Sequence, residues 1–291
     1  MWGQGNLSQG LTKQFRYTIT NSLSYKQSFG AEGQHHLNAS VYHETVRTQS
    51  SGFGYTGFGL LNPYPNAAGL VAGTTTNGYI PQINNIVFTP DYGLVSFFGI
   101  VDYVYLHKLM LSGSVRRDGS SRLSPDHRWV NYGGISGAYI LSEEQFLHNN
   151  PVISLLKVKA SYGTVGNQEG IGDFPYLQQY ASGTFGGGSS LGIAAFGNKN
   201  LKWETRTTFN TGFEIGLFKN RVTANLEYYN SVTNNLFFSL TAPATSGGPG
   251  QVLGNAGSMR NRGFEASVNL AVVHNSDFDW NIAANYSLNR N

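Results

Sequence analysis

The chain has 291 residues, of which 40% are hydrophobic and only 12% charged, with 37 Gly, 17 Tyr and 18 Phe. Soluble domains carry roughly 25% charged residues, so this composition argues against an ordinary water-facing surface. A net charge of +3 is too slight for an electrostatic nucleic-acid binder, and the lack of Cys excludes disulfides, thiolate nucleophiles and cysteine metal sites.

Period-two alternation, punctuated by turn residues, predicts ten strands. In chain order they lie near 12–26, 34–48, 95–105, 108–118, 128–142, 155–165, 205–218, 220–235, 259–273 and 277–290. The last is the clearest. Phe278, Trp280, Ile282, Ala284, Tyr286 and Leu288 alternate with Asp279, Asn281, Ala283, Asn285, Ser287 and Asn289. Successive strand side chains point to opposite sides, so the segment has one apolar face and one amide-rich face. Phe264, Ala266, Val268, Leu270 and Val272 repeat the pattern against Glu265, Ser267 and Asn269. Such segments have the length of about ten residues with which a tilted strand crosses a bilayer.

The longest apolar run, Leu94 to Leu106, is interrupted by Asp102 and falls short of the roughly 18 apolar residues a membrane helix requires. A membrane chain without such a helix must cross as a closed barrel, because lipid satisfies no free backbone groups. The start Met1-Trp2-Gly3-Gln4-Gly5 lacks the cationic and apolar regions of a secretory signal, so a membrane reading requires a signal upstream.

The connections fall into two sets. Leu106-His107, Lys219-Asn220 and Asn275-Ser276 are compact, whereas 49–94, 119–127, 166–204 and 236–258 are long and rich in Gly, Ser, Thr, Asn and Pro. Outer-membrane barrels have short periplasmic turns and long outer loops, and an up-and-down meander places alternate connections on the same side. Two connections on the compact side, near 27–33 and 143–154, are longer. Gly186-Gly187-Gly188-Ser189-Ser190 and Ser246-Gly247-Gly248-Pro249-Gly250 look like linkers, yet each sits inside a loop, so no domain boundary is expected. The fold class expected is all-β, an antiparallel up-and-down transmembrane barrel. Residues 1–291 would form one partial barrel domain, an arc of a larger wall, since an open sheet leaves unpaired edges.

Several motifs converge at strand ends. Arg117-Asp118-Gly119-Ser120-Ser121-Arg122 closes the fourth strand, and Leu141-Ser142-Glu143-Glu144-Gln145-Phe146-Leu147 follows the fifth. Lys157-Val158-Lys159-Ala160-Ser161-Tyr162-Gly163-Thr164-Val165-Gly166-Asn167-Gln168 is the sixth strand entering its loop. Asn200-Leu201-Lys202-Trp203-Glu204-Thr205 opens the seventh strand, and Met259-Arg260-Asn261-Arg262-Gly263-Phe264-Glu265 opens the ninth. In this order and spacing they resemble the SusC/RagA family of TonB-linked outer-membrane transporters, from about Val95 to Asn291. Tyr139 stands where that pattern usually has Trp, and keeps an amphipathic ring suited to the interface.

The resemblance implies a 22-stranded barrel filled by a plug, with an N-terminal plug domain and TonB box that precede the region present here, and final strands beyond it. It also implies TonB as the energising partner, a SusD-like lipoprotein over the extracellular face, outer-membrane lipid around the wall, and glycan or peptide cargo. No nucleic acid, cofactor or metal is implied.

Individual residues carry weaker signals. Arg117, Asp118 and Arg122 suit an anionic group, but the commoner role is structural, with Asp and Gly setting a turn and the arginines pairing with lumen carboxylates. Trp203, beside Glu204, is expected at the membrane rim, with stacking on a sugar as the alternative. Glu265 is expected to pair with Arg260 or Arg262. His35 and His36 face opposite sides of a strand, a poor chelate, and no third ligand adjoins them. Glu143 and Glu144 diverge and do not make a glycosidase pair. No phosphate loop appears and no carboxylate pair is suitably placed, so no enzyme is expected. Loop 49–94 carries Phe53, Tyr55, Phe58, Tyr64, Tyr79 and Tyr92. These aromatics suit binding a neutral polymer, packing against a lid protein, or folding over the mouth, and the three readings stand level.

The function expected is therefore energised import of nutrient oligomers across the outer membrane. The rivals are a soluble or surface-displayed β-rich carbohydrate-binding adhesin and a small passive pore.

Overall fold

A computed structural model describes residues 6–58 and 82–291. Its strands are β1 (Asn6–Phe29), β2 (His35–Phe58), β3 (Gln82–Tyr105), β4 (Leu109–Ser120), β5 (Trp129–Ile140), β6 (Ile153–Asn167), β7 (Gln179–Phe185) and β8 (Gly188–Ala195). They continue with β9 (Glu204–Leu217), β10 (Val222–Asn234), β11 (Phe237–Thr241), β12 (Gln251–Asn255), β13 (Ser258–His274) and β14 (Asp279–Arg290). Ten of them form one sheet in the order β1-β2-β3-β4-β5-β6-β9-β10-β13-β14. The ten expected strands all appear there. β7–β8 and β11–β12 are separate hairpins within the long connections, and neither is anticipated by the sequence reading.

The chain divides into two compact units. The first holds residues 1–19 and 46–93, the loop-side halves of β1, β2 and β3. The expected loop 49–94 is thus corrected at both ends, where residues 49–58 and 82–94 continue β2 and β3. Gly52 allows the backbones of β1 and β2 to approach in this unit, since a Cβ there would press on the Leu11 carbonyl. The second unit holds residues 20–45 and 94–291. It contains the two-faced wall and the outer loops after β4, β6 and β10.

Strand register separates two faces. Phe213, Leu226, Ala266 and Tyr286 stand in one rank across β9, β10, β13 and β14, and Ile215, Ala224, Val268 and Ala284 in the next. The intervening ranks hold Glu214, Asn225, Ser267 and Asn285, then Gly212, Glu227, Glu265 and Ser287. Directly opposed residues share a face, so one face is apolar and the other polar across these four strands.

The apolar face is open. Val115 and Ile135 are 71% and 68% exposed, Phe209 and Phe213 are exposed, and Phe264, Val268, Leu270, Trp280 and Ile282 are exposed as their alternation implies. Ile215, Val222 and Leu226 are half-buried among them. Among the described residues no second sheet covers this band, although the sandwich of a soluble rival requires one. The buried apolar cluster instead lies among the outer loops, where Leu123, Ile171, Leu201 and Trp203 pack with Leu94, Val130, Phe237 and Leu253.

Two of the three compact turns use left-handed backbone. Leu106 and His107 have φ of 51° and 58°, and Lys108 N–H donates to Tyr105 O at 2.9 Å. Two consecutive positive φ values give the turn whose twist matches a hairpin. Phe218, Lys219 and Asn220 turn likewise. At the third turn the Asn275 side chain accepts from the N–H groups of Asp277 and Phe278.

Candidate functional site: the polar wall and the outer loops

Two charged networks line the polar face. In the first, Arg116 binds Asp118 at 2.8 Å and Glu44 at 3.4 Å, donates to Ser96 Oγ at 3.0 Å, and lies over the Phe98 ring. Tyr132 donates to the other oxygen of Asp118, and Tyr42 stacks on Phe98. Asp118 is therefore a buried acceptor held from β4 and β5. The expected turn at Asp118-Gly119 is corrected, since β4 continues in register to Ser120.

In the second network, Lys159 reaches Glu227 at 2.6 Å and Glu214 at 3.2 Å, while Lys157 reaches Glu214 at 3.3 Å. Lys159, Gly212 and Glu227 stand in one rank. A Cβ at Gly212 would press on the Glu227 side chain, so the missing side chain lets a cation and an anion meet across an intervening strand. Asn225 also donates to Glu227 at 2.8 Å. Between the networks, Asp102 accepts from Ser112 at 2.6 Å and Asn38 at 3.3 Å. A recess of about 500 Å³, lined in part by Asp102, Ser136, Lys159, Asn210 and Glu227, opens there. Charges that are paired but hydrated make a wall with little preference for one solute.

The outer loops are tied down by side chains from distant segments. Glu204 accepts from Asn167 Nδ2 at 2.8 Å and from Phe237 N–H at 2.7 Å. Asn255 donates to the carbonyls of Lys202 and Asn235 and accepts from Lys202 N–H. Arg122 binds Asp173 at 2.9 Å, and Ser124 donates to Lys199 O. On this platform the hairpins present bare apolar groups: Phe185 and Leu191 are 86% and 72% exposed, with Tyr180, Phe238 and Leu240 also exposed.

Several expected sites are relocated. Trp203 is 5% exposed, and its indole N–H donates to Arg128 O at 2.9 Å. It belongs to the loop cluster, not to a lipid rim or a sugar platform. Trp129, at the long-loop end of β5, and Trp280, at the short-turn end of β14, are exposed on the apolar face instead. Glu265 lies on the polar face opposite Glu227, whereas Arg260 and Arg262 alternate onto the other face, so the expected ion pair does not form. Arg117 faces outward too, with its guanidinium over the Trp129 ring.

Tyr55 and Phe58 lie in β2, Tyr92 lies half-buried in β3, and Tyr64 and Tyr79 fall outside the described residues. His35 binds the Tyr103 hydroxyl and His36 that of Ser28. No group able to hold a metal occurs among the described residues.

The β-barrel family model described as TonB dependent receptor-like matches residues 2–291. The chain belongs to the TonB-dependent receptor β-barrel family. It is of the SusC/RagA type and an outer-membrane protein. TonB-dependent receptor P39 of Formosa agariphila is 31% identical over 260 residues, covering 86% of this chain and 25% of the relative. TonB-dependent receptor SusC of Bacteroides thetaiotaomicron is 35% identical over 206 residues, covering 68% of this chain and 20% of that protein. The solved structure of the RagAB peptide transporter superposes with a TM-score of 0.83 at 26% identity, covering 97% of this chain and 30% of the transporter chain. The chain thus spans about a quarter of the curated relatives' length.

Proposed function

We propose that this SusC/RagA-type barrel segment forms part of the wall of a TonB-energised importer for nutrient oligomers, glycans or peptides, capped by a SusD-like lipoprotein. Residues 1–291 would supply an arc of a larger barrel, with a plug and a TonB contact contributed by other regions of the whole protein. The observation that carries the reading is the division of labour in the second unit. A hydrated wall whose lysines and arginine are held in ion pairs suits passage of a hydrated cargo, while the exposed aromatic and aliphatic tips of β7–β8 and β11–β12 stand on a pinned platform. Rigidly mounted loops are the usual carriers of recognition. The RagAB transporter is described as a peptide transporter, which supports an oligomeric cargo here.

The test is uptake in cells carrying the full-length protein with residues 180–194 replaced by a short Gly-Ser turn, read beside outer-membrane abundance and lipoprotein co-purification. Reduced uptake or reduced lid capture at normal abundance is expected. Normal uptake and lid capture by an inserted, shortened barrel would remove the recognition role.

A further inference from the structure

Arg116, Lys157 and Lys159 of the wall are held in ion pairs and the loop cluster packs on itself, whereas Arg117 faces outward. It stands on the face that meets lipid. Register places Arg117 beside Asn131 and Phe97 on that face, with Val115 and Gly133 in the next rank. A furrow of about 1200 Å³ opens there. Gly99 and Gly133 form its floor, and Val115, Ile135 and Tyr162 are among its walls. Arg117 and Asn131 line its end nearest the long loops, where β4 and β5 approach the connection 121–128.

The cation is mounted. The Trp129 ring lies against Gly119, where any Cβ would clash with it, and the Arg117 guanidinium sits 4.9 Å from the ring centroid. Stacking directs the planar donor fork while leaving its edge free to bind oxygen atoms. An exposed cation at the interface end of an apolar furrow matches a molecule with an acyl chain and an anionic head. Arginine suits phosphate in particular, because two parallel N–H groups meet two oxygens.

We infer that the Arg117–Trp129 stack and the glycine-floored furrow below it form a site for a phosphorylated lipid of the outer leaflet. The acyl chain lies along Gly99 and Gly133 and the phosphate meets the Arg117 guanidinium. The site depends on the membrane location of the family and not on the import reading, so loss of import leaves it standing.

The experiment is native mass spectrometry of the detergent-purified full-length protein, titrated with monophosphoryl lipid A. The parallel arms are the same lipid with its phosphate removed and inorganic phosphate as competitor. Arg117→Gln should weaken binding of the phosphorylated lipid about tenfold, the usual scale for one lost charge-assisted contact, while Arg117→Lys keeps part of it. Gly99→Leu should also weaken it with Arg117 intact. A Cβ at Gly99 meets only ordinary contacts, at 3.7 Å and beyond, so the side chain fills the furrow without displacing backbone. Unchanged heat-modified migration confirms that each variant is folded. Equal binding by Arg117→Gln, equal binding of the dephosphorylated lipid, or full competition by inorganic phosphate would each overturn the proposal.

Discussion

At the residue scale, the loop cluster rests on Trp203. Its ring packs with Leu123, Ile171 and Leu201, and its N–H satisfies a carbonyl 75 positions away. Trp203→Ala should cost about 3–5 kcal/mol of local stability, as for other large-to-small changes in a packed site. The change should appear as faster protease cleavage within 168–203 while barrel migration on a gel stays normal. Unchanged cleavage would mean that the cluster holds the loops only loosely. None of these partners is visible from sequence, because the loop packing that buries Trp203 joins segments with no shared periodicity. The expected pairing of Glu265 fails for a simpler reason. Positions 260 and 262 both differ from 265 by odd steps, and strand parity alone places the arginines on the opposite face.

Residue identity also decides facing. Val268 lies two residues from the middle of β13 on the apolar face, and Asn269 lies beside it on the polar face. Arg at Val268 should cost about 2–4 kcal/mol if the strand centre is near the midplane, and Arg at Asn269 should be mild. Outer-membrane abundance of the two variants in the full-length protein checks this. Equal abundance would contradict the facing.

At the scale of elements, the turn between β5 and β6 carries a titratable latch. Glu144 accepts from Tyr139 and is ion-paired with Lys108 at 3.3 Å. The Tyr139 hydrogen bond, followed by that from Lys108, holds its carboxyl below the ordinary value of 4.5. A depressed folded pKa means that the latch contributes fully above the ordinary value and is lost as pH falls through the folded one. Hydrogen exchange in 141–152 should therefore match between pH 7 and pH 5, relative to Glu144→Gln, and the difference between the two proteins should vanish only below 4.5. A difference already lost at pH 6 would show that Glu144 is not the latch.

The strands of this chain are legible because alternation is a local signal. Phe278 to Leu288 states its faces without reference to anything else. Hairpin β7–β8 is not, although its cue is present. Gly186 and Gly187 have φ of 58° and 83° and pair Phe185 with Gly188, the geometry of a two-residue hairpin. A run of Gly and Ser reads equally as a flexible linker, and the flanking residues are too polar to mark a buried face. The far halves of β2 and β3 escape for a related reason, since Gly, Ser and Thr around 49–58 carry no apolar period.

At the scale of the whole molecule, an apolar outer face and a polar inner face are joined to two edge strands, β1 and β14. Exposed edges and an exposed lipid-facing surface drive association in water. Residues 1–291 expressed alone should therefore aggregate unless detergent is supplied. A soluble, cooperatively folding monomer in detergent-free buffer would contradict the membrane arc. The central claim is that alternate residues of one strand face lipid and lumen. The sequence has no Cys, so single cysteines can be placed at each position from 264 to 270 of the full-length protein in intact outer membranes. The account predicts that 265, 267 and 269 react with a water-soluble maleimide, while 264, 266, 268 and 270 resist it and react with a lipid-partitioning one. Equal labelling at both parities, or the reverse alternation, would contradict it.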